Sequence, residues 1–495
     1  MNKPIKLFSG TDTYKTEKRK LIKEVLTKKT DKVVDKISSI FDSIPIKDGM
    51  TLSFHHHLRN GDGVLNMVLE EIKRRGLKEI TLAPSAIFPI HEPMVELIEN
   101  GQIVKVITNY LNGPVAKAIG AGKLKNGLIM DTHGGRARAI EAGELAIDVA
   151  FIATPTADRL GNGNGIEGKS ACGALGYAIA DMQYAKQKVV VTDNLVEKVD
   201  FKEIDAKYID YCLVVDKIGD PNGILSGTTK PTKDPIQLKI ARDTATLIKE
   251  LGMIKPGMSF QTGAGGTSLA VALDVEKEML NENIRGSFAS GGITNFLVKM
   301  LEKGLFERLY DVQCFDLEAV KSYSKNKNHL QMSASLYGNP YHEGVIINDL
   351  DIVILGATEV DLDFNTNVIT DSNQAIIGGS GGHSDTAYGA KLTIITTNLM
   401  KSRTAIIKKQ VTTITTPGES IDCVVTERGI AINPRRMDLL ERLKNSKLKI
   451  VSIEDLYHKA EAICGKPKDV VNKDKIIGYV RYRDGSVIDY LYQVK

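Results

Sequence analysis

Short runs of branched apolar residues alternate along this chain with longer stretches whose apolar positions recur at helical spacing. A helical pattern at residues 64–75 precedes the apolar run 79–82, and another at 176–184 precedes the run 189–192. Alternation of strand-like and helix-like segments is typical of parallel sheets that are covered by crossover helices. The pattern therefore predicts an α/β fold.

The pattern also repeats, which indicates two related units. Three phrases recur in the same order at offsets of 208, 203 and 203 residues: 49–54 in 257–260, 94–101 in 297–304, and 147–152 in 350–355. Because a repeated pattern marks a repeated structural unit, we predict two tandem α/β domains related by internal duplication.

Turn-forming residues indicate the domain boundaries. Residues 216–235 are rich in glycine, proline, aspartate and threonine, so we predict a linker there, between a first domain at 46–215 and a second at 236–495. Residues 1–45 carry apolar positions at roughly helical spacing. We predict that they form a basic N-terminal extension of one or two amphipathic helices.

Composition limits the class of protein and its compartment. The chain has 495 residues, 42% hydrophobic and 25% charged, which is ordinary for a globular enzyme of two or three domains. No apolar run is long enough to span a membrane, and no signal-peptide pattern is present. Five scattered cysteines without metal-ligand spacing fit a reducing compartment. We therefore predict a cytoplasmic protein without membrane contact.

The net charge of +4 is placed unevenly. Residues 1–48 hold twelve Lys and Arg against seven Asp and Glu, so the rest of the chain is close to neutral. A body so balanced argues against nucleic-acid binding, which needs a basic face. The basic segment is either a solvated helix face or a contact for an acidic protein partner.

The densest glycine cluster, at residues 378–382, reads Gly-Gly-Ser-Gly-Gly. Glycines at this density disfavour helix and strand, and they favour a loop whose N–H groups converge on one site. The loop is either a simple turn between strands or an oxyanion site. On the second interpretation, the residues that bind the anionic ligand are Gly378 and Ser380, and those that serve catalysis are Gly379, Gly381, Gly382 and His383.

Two further glycine clusters follow predicted strands, at residues 161–165 and 262–267. Glycine turns that lead into helix N-termini bind phosphate groups. If the two domains face each other, these loops close one cleft at the interface, a preferred place for small-molecule sites. The residues predicted to bind the cofactor-like, phosphate-bearing part of the ligand here are Gly163, Gly165, Gly263, Gly265, Gly266 and Thr267.

A polar cluster rich in histidine follows the first strand of the first domain, at residues 55–62. Imidazole, guanidinium and amide groups together suit a polycarboxylate, and arginine binds carboxylates in bidentate fashion. We predict that substrate carboxylates bind to His55, His57, Arg59 and Asn60. The alternatives are a structural capping loop and a metal site, but no ligand spacing supports a metal, and we predict none.

Several of these phrases resemble known families. The predicted strands and turn at residues 351–367, the glycine loop and the segment 424–429 are similar to the catalytic domain of CoA-transferases and acyl-CoA hydrolases. More specifically, five stretches resemble the alpha subunit of citrate lyase, a likeness that extends over nearly the whole chain after residue 45: 53–62, 81–86, 161–173, 216–221 and 378–390. The resemblance implies that both domains are CoA-transferase-like.

The resemblance also implies an activity. Members of the family exchange acetyl for citryl on a phosphopantetheine-type thioester and release acetate. No tightly bound cofactor is implied, since the thioester belongs to acetyl-CoA or to the phosphoribosyl-dephospho-CoA group of an acyl carrier (gamma) subunit. A separate beta subunit cleaves the citryl thioester. Citramalate or malonate transfer, acyl-CoA hydrolysis and a non-catalytic scaffold role stay open as alternatives.

Many related CoA-transferases use a glutamate nucleophile on a strand near a glycine turn in the second domain. The corresponding stretch here, at residues 284–293, contains no carboxylate, which leaves Glu92 and Glu343 as alternative nucleophiles. A substrate carboxylate is itself a nucleophile. We therefore expect direct transfer through a mixed anhydride, without a covalent enzyme intermediate, in a site that excludes water.

Overall fold

Two large sheets organise the protein, one of ten strands and one of nine. The computed structural model describes residues 21–225, 230–466 and 473–494. Most neighbouring strands within each sheet run parallel, with helices between them, so the predicted α/β class is confirmed. None of the helices in the described ranges combines the length and the apolar character needed to cross a bilayer.

The first half of the chain builds most of the ten-stranded sheet. Its strands are β1 (Val33–Val34), β2 (Thr51–Phe54), β3 (Ile80–Pro84), β4 (Ile103–Thr108), β5 (Leu128–Met130), β6 (Val149–Ala153), β7 (Thr156–Asp158), β8 (Gly163–Asn164), β9 (Gln187–Thr192), β10 (Leu195–Val196) and β11 (Tyr211–Val214). Its helices are α1 (Ile37–Ser43), α2 (Val64–Arg75), α3 (Met94–Glu99), α4 (Gly113–Gly120), α5 (His133–Glu141) and α6 (Ile179–Tyr184). Every residue of β6 is buried, as expected for a strand covered on both faces.

The second half builds the nine-stranded sheet and ends in a hairpin. Its strands are β12 (Ser259–Thr262), β13 (Gly286–Ile293), β14 (Phe306–Cys314), β15 (His329–Gln331), β16 (Ile352–Gly356), β17 (Glu359–Val360), β18 (Thr366–Asn367), β19 (Leu392–Thr396), β20 (Met400–Lys401), β21 (Thr404–Ala405), β22 (Cys423–Thr426), β23 (Gly429–Ile432), β24 (Ile450–Val451), β25 (Ile476–Arg481) and β26 (Val487–Tyr492). Its helices are α7 (Pro235–Glu250), α8 (Gly266–Asn281), α9 (Asn295–Glu302), α10 (Leu317–Lys325), α11 (Ala334–Gly338), α12 (His383–Gly389), α13 (Met437–Arg442) and α14 (Ile453–Cys464).

Both sheets contain the same strand order. The first reads β11-β9-β6-β2-β3-β4-β5 and the second β22-β19-β16-β12-β13-β14-β15. In each, the first strand lies at the centre, the next three extend to one side, and the last three extend to the other. The three repeated phrases of the sequence fall on equivalent elements, namely β2 and β12, α3 and α9, and β6 and β16. The sequence repeat therefore corresponds to a repeated topology.

The N-terminal segment differs from the predicted helical extension. Residues 21–32 have no regular secondary structure, β1 is a strand, and α1 has only seven residues, so the prediction is wrong for residues 21–36. The backbone amides of Ile22, Val25 and Thr27 donate to carbonyls of the first half instead of to one another. Tertiary hydrogen bonds thus replace helical ones, and β1 extends the sheet beside β11. Residues 1–20 of the predicted extension lie outside the described residues.

The C-terminal hairpin crosses from one half to the other. β25 pairs in parallel with β5, and β26 pairs with β25, so residues 476–492 belong to the first sheet although the predicted second domain, 236–495, includes them. The hairpin covers the edge of β5, whose backbone groups would otherwise lack partners. The predicted linker also packs closely, since the amide of Gly63 donates to the carbonyl of Ile218 at 2.9 Å.

Candidate active site

A cavity of about 460 Å³ lies between the two halves. The first half contributes Tyr110, His133 and Tyr177, and the second contributes the ends of β12 and β16 together with the glycine loop at 378–382. Ligands in parallel α/β folds usually bind in crevices outside the carboxyl ends of the strands. The sequence analysis predicted a cleft between the two domains, and the cavity lies between the two halves of the chain.

The glycine loop packs against its neighbours so closely that side chains would not fit. A Cβ on Gly379 would lie 2.1 Å from the carbonyl oxygen of Asn109, and one on Gly382 would lie 2.3 Å from the hydroxyl of Tyr337. The amide of Gly381 donates to Asn109 at 3.1 Å, and the carbonyl of Gly381 accepts from the amide of His133 at 2.8 Å. Glycine is required here by close approach, and the loop lies at the interface between the halves.

Three amides of the loop remain unused. Within the described residues, the N–H groups of Gly379, Ser380 and Gly382 donate to no protein acceptor, and all three residues line the cavity. Successive unused N–H groups around a concave surface bind anions. The loop is thus equipped to stabilise a carboxylate or the oxyanion of a tetrahedral intermediate.

His383 lines the cavity, but both of its ring nitrogens are engaged. Nε2 donates to the carbonyl of Gly356 at 2.9 Å, and Nδ1 accepts from the hydroxyl of Thr416 at 2.7 Å. Burial lowers the pKa of His383 to about 4, so the ring is neutral at physiological pH. This geometry gives His383 a positioning role at the start of α12 and leaves no free nitrogen for the catalytic role expected from the sequence.

His133 was missed as a site residue, although it lines the cavity at the N-terminus of α5. Its Nδ1 is buried without a hydrogen-bond partner among the described residues, and its Nε2 lies 3.2 Å from where a Cβ on Gly381 would be. Its ring packs on Tyr177 with centroids 4.4 Å apart. Burial lowers the pKa of His133 to about 3, so it is a neutral imidazole. No motif marks this residue, and only the contact with the glycine loop reveals it.

His55, His57 and Arg59 come together just behind the cavity wall. The four ring nitrogens of the two histidines and Nη1 of Arg59 are buried without hydrogen-bond partners among the described residues, although Nδ1 of His55 lies 3.9 Å from the buried carboxylate of Asp181. The guanidinium of Arg59 lies 5.6 Å from the ring centre of Phe88 and 4.7 Å from that of Phe315, which lines the cavity. Burial lowers the pKa of His55 to about 4 and that of Arg59 in the same direction. Buried polar groups normally have partners, so this cluster lacks one that an anionic ligand would supply.

Three other predicted residues lie outside the cavity. Asn60 is exposed, and its Oδ1 accepts from a backbone amide at 3.0 Å. Gly163 pairs with β7, and the amide of Gly165 donates to the carboxylate of Glu203 at 2.7 Å. A Cβ on Gly165 would lie 1.9 Å from the carbonyl oxygen of Gly173, so close packing explains the glycine. The structure gives these residues structural roles in place of the predicted binding roles.

The glycine cluster at 262–267 contributes only in part. Gly263 and Gly265 line the cavity, and Gly265 precedes the first turn of α8. Gly266 and Thr267 are the first residues of that helix and are not among the lining residues. The N-terminus of a sixteen-residue helix carries partial positive charge, so α8 favours an anionic group at this end of the cavity.

The described lining of the cavity includes no carboxylate, thiol or amine. Both alternative nucleophiles, Glu92 and Glu343, are exposed and outside the lining. The stretch 284–293 contains the whole of β13, and only Gly292 of it is among the described residues that line the cavity. The site can bind and polarise a substrate, but its described residues offer no nucleophile of the glutamate or cysteine type.

One described cluster outside the cavity has the composition of a metal site. The ligand atoms of Asp311, Cys314 and His329 lie within 4.8 Å of one another. Oδ2 of Asp311 already accepts from Sγ of Cys314 at 2.9 Å and from Nε2 of His329 at 3.0 Å. Burial raises the pKa of the Cys314 thiol well above its ordinary value, which keeps the thiol protonated. Hydrogen bonding alone accounts for this cluster.

Two mostly parallel sheets, a glycine loop between the two halves and a cavity that offers N–H donors without acidic side chains define an α/β enzyme of the acyl- or CoA-transfer class. The family model for citrate lyase, alpha subunit (CitF), matches residues 30–494. The chain belongs to this family, and as a member it is a transferase-type enzyme subunit.

Curated relatives and solved structures agree with this family membership. The chain is 42% identical over 469 residues to the citrate lyase alpha chain of Klebsiella pneumoniae, covering 94% of this chain and 92% of that one. It is 44% identical over 451 residues to that of Escherichia coli, covering 91% and 88%. A crystal structure from Streptococcus mutans, assigned as an alpha subunit of citrate lyase in complex with citrate, superposes with a TM-score of 0.93 at 44% identity, over 99% of this chain and 96% of that one. A malonate decarboxylase alpha subunit from Acinetobacter baumannii shares the fold alone, with a TM-score of 0.64 at 14% identity over 90% and 95% of the chains.

Proposed function

We propose that the chain exchanges acetyl for citryl on a phosphopantetheine-type thioester, as a subunit of citrate lyase. Acetyl thioester and citrate give citryl thioester and acetate. The thioester is carried by CoA or by the phosphoribosyl-dephospho-CoA group of an acyl carrier subunit, and a beta subunit cleaves the product. Family membership supports the reaction class, and the Streptococcus mutans relative, in complex with citrate, supports the choice of acceptor.

One observation carries the mechanism: the described cavity lining offers unused backbone amides but no carboxylate or thiol. A citrate carboxylate attacks the acetyl carbonyl, which forms a mixed anhydride and releases the thiolate. The thiolate then attacks the citryl carbonyl, and acetate leaves with the electrons of the C–O bond. Each step passes through an oxyanion that the amides of Gly379, Ser380 and Gly382 would stabilise. No covalent enzyme intermediate is needed.

In this proposal His133 adds a side-chain donor to the amides. Its Nδ1 has no partner among the described residues, and its ring lies against the glycine loop at Gly381. A pKa of about 3 means that the ring donates as a neutral imidazole at any physiological pH. In other enzymes, too, an imidazole that is kept neutral by a lowered pKa polarises a substrate carbonyl group.

The carboxylates of citrate are assigned to His55, His57 and Arg59. These side chains hold buried polar atoms that have no hydrogen-bond partner within the described part of the chain, and Arg59 is the cation among them. A displacement of Phe315, which lies over the guanidinium and also lines the cavity, would open the cluster to the bound substrate. Binding of a tricarboxylate would then supply the missing hydrogen-bond partners.

An exchange assay tests the proposal. The purified chain is incubated with acetyl-CoA and citrate, citramalate or malonate, and the new thioester is identified by mass spectrometry. Citryl-CoA formed with citrate supports it. Loss of acetyl-CoA independent of any polycarboxylate would identify a hydrolase, and no exchange by the isolated chain would leave a scaffold subunit. An enzyme thioester trapped by hydroxylamine or borohydride would overturn direct transfer.

We also infer that the two halves arose by duplication of one CoA-transferase-like domain. The shared strand order supports this origin. The proposed domains are 46–215 and 236–495, joined by the linker 216–235 and preceded by the basic segment 1–45, with the final hairpin exchanged onto the first sheet. A cytoplasmic location belongs to the same proposal.

A further inference from the structure

A second concave surface lies between α9 and α10, on the outer side of the second half. The groove has a volume of about 660 Å³, within the range of small-molecule sites. Its charged residues are Lys299, Lys321, Lys325, Lys327, Glu302 and Glu318. Four lysines against two glutamates give the groove a positive balance, whereas the chain beyond its first 48 residues is nearly neutral.

Part of the positive charge in the groove is uncompensated, since four lysines share it with two glutamates. Lys321 pairs with Glu318 at 2.7 Å, one helical turn away. Lys299, Lys325 and Lys327 are exposed and lie within ion-pair distance of no described carboxylate, although Lys299 also acts electrostatically on Glu318. Unpaired ammonium groups around one concavity favour an anion, because like charges held together repel until a counter-charge binds.

One end of the groove lies near the catalytic cavity along the chain. Asn295 and Glu318 line the groove, and each lies three residues beyond a cavity-lining residue, Gly292 and Phe315 respectively. Three residues span at most about 11 Å of chain. The nine-residue α10 then carries the groove roughly 13 Å further. Lys299 and Lys321 lie four and three residues beyond Asn295 and Glu318, so they are the lysines that an extended pantetheine arm starting in the cavity would approach first.

We propose that this groove binds the diphosphate-bearing nucleotide at the far end of the pantetheine arm. The inference rests on the proposed function, because it concerns the other end of the same thioester. Free CoA and the carrier-linked phosphoribosyl-dephospho-CoA group share this chemistry, a diphosphate joined to a nucleoside with a further phosphate. Lysine is a suitable ligand, since its ammonium binds phosphate as a point charge without a fixed geometry.

The test compares thioesters with and without the nucleotide. The double variant Lys299→Glu/Lys325→Glu is assayed for citrate exchange with acetyl-CoA and with acetyl-pantetheine, which lacks the nucleotide. We expect the KM for acetyl-CoA to rise about tenfold, as for the loss and reversal of two partly exposed charge contacts. The KM for acetyl-pantetheine, the KM for citrate and kcat should stay within about twofold.

The matched control is Lys447→Glu/Lys449→Glu, two exposed lysines beside β24 at the opposite edge of the same sheet. An equal change in the control, or an unchanged KM for acetyl-CoA in the groove variant, would overturn the proposal. A rise in KM for carrier-linked acetyl thioester but not for acetyl-CoA would also overturn it and would assign the groove to the carrier protein itself. Absence of exchange with both small thioesters in the unmodified chain contradicts the proposed function instead.

Discussion

Replacing Gly379 with alanine tests whether contact between the glycine loop and the first half controls catalysis. The new Cβ would lie 2.1 Å from the carbonyl oxygen of Asn109 and 2.6 Å from Cα of Tyr110. Contacts to a Cβ essentially never fall below 3.0 Å, so the atoms must separate by at least 3.0 − 2.1 = 0.9 Å. Both neighbours are backbone, so rotation of a flexible side chain cannot relieve the clash.

The displacement sets the expected loss. A shift of about 1 Å in positioned catalytic groups costs about 100-fold in rate, which corresponds to roughly 2.7 kcal/mol of transition-state stabilisation. Overpacking at the interface costs a further 1–3 kcal/mol or so of stability, which leaves most of the protein folded. We therefore expect kcat/KM for exchange between acetyl-CoA and citrate to fall about 100-fold.

The assay is the initial rate of citryl-CoA formation, at a temperature where circular dichroism shows the variant folded. Gly356→Ala is the matched control, because Gly356 also lines the cavity and its Cβ would have no atom within 4 Å. Wild-type exchange in Gly379→Ala would refute the idea that this contact holds the donors in place. So would equal losses in the two variants.

Three further predictions concern the buried polar groups. Arg59→Ala should raise the citrate KM roughly 10- to 100-fold, through the loss of a charged hydrogen bond, and leave the acetyl thioester KM nearly unchanged. Arg59→Lys should restore part of the affinity for citrate. Equal weakening of both substrates would remove the assignment of Arg59 to citrate. His133→Gln should lower kcat about 100-fold with a small change in KM. Because the ring is neutral, wild-type kcat should not change between pH 6 and 8. A titration of kcat in that range that disappears in His133→Gln would contradict a donor role for the neutral imidazole. Burial lowers the pKa values of His55, His133 and His383 to about 4, 3 and 4, below the unfolded value of 6.5, so the unfolded chain binds more protons in acid. Their contribution to stability is complete above pH 6.5 and is lost as the pH falls toward 3–4. The Tm should therefore drop as the pH falls over this range, and the drop should be less steep in His133→Gln. An equally steep drop in that variant would count against a buried, neutral His133 ring.

Local patterns predicted the fold class because the spacing of apolar residues among near neighbours determines which segments form strands and which form helices. The alternation of apolar runs and helical spacing indicated parallel sheets, and the repeated phrases fell on β2 and β12 and on β6 and β16. The same kind of signal failed for residues 21–36, where helical spacing was present but the backbone amides bond to the first half. A periodic pattern shows which positions are apolar, but it does not show which carbonyl each amide will reach.

Glycine and histidine content located the candidate site only in outline. Gly379 and Gly165 look alike in sequence, and both are required by close packing, but only Gly379 lines the cavity. His383 stands beside the glycine loop with both nitrogens bonded, while His133, 250 positions earlier, lies against the same loop with Nδ1 unused. The local density of glycine and histidine in the sequence could not separate these cases, because hydrogen-bond partners are set by contacts in three dimensions.

By itself the sequence determined the parallel α/β class, the repeat and a set of residues suited to an anionic acyl substrate, since residue type and spacing govern these directly. Tertiary structure decided which of those residues share one cavity, which are structural, and where the final hairpin pairs. Those outcomes depend on contacts between segments far apart in the chain, such as Gly381 with Asn109 and β25 with β5. No local pattern encodes such distances, and they arise only when the two halves pack.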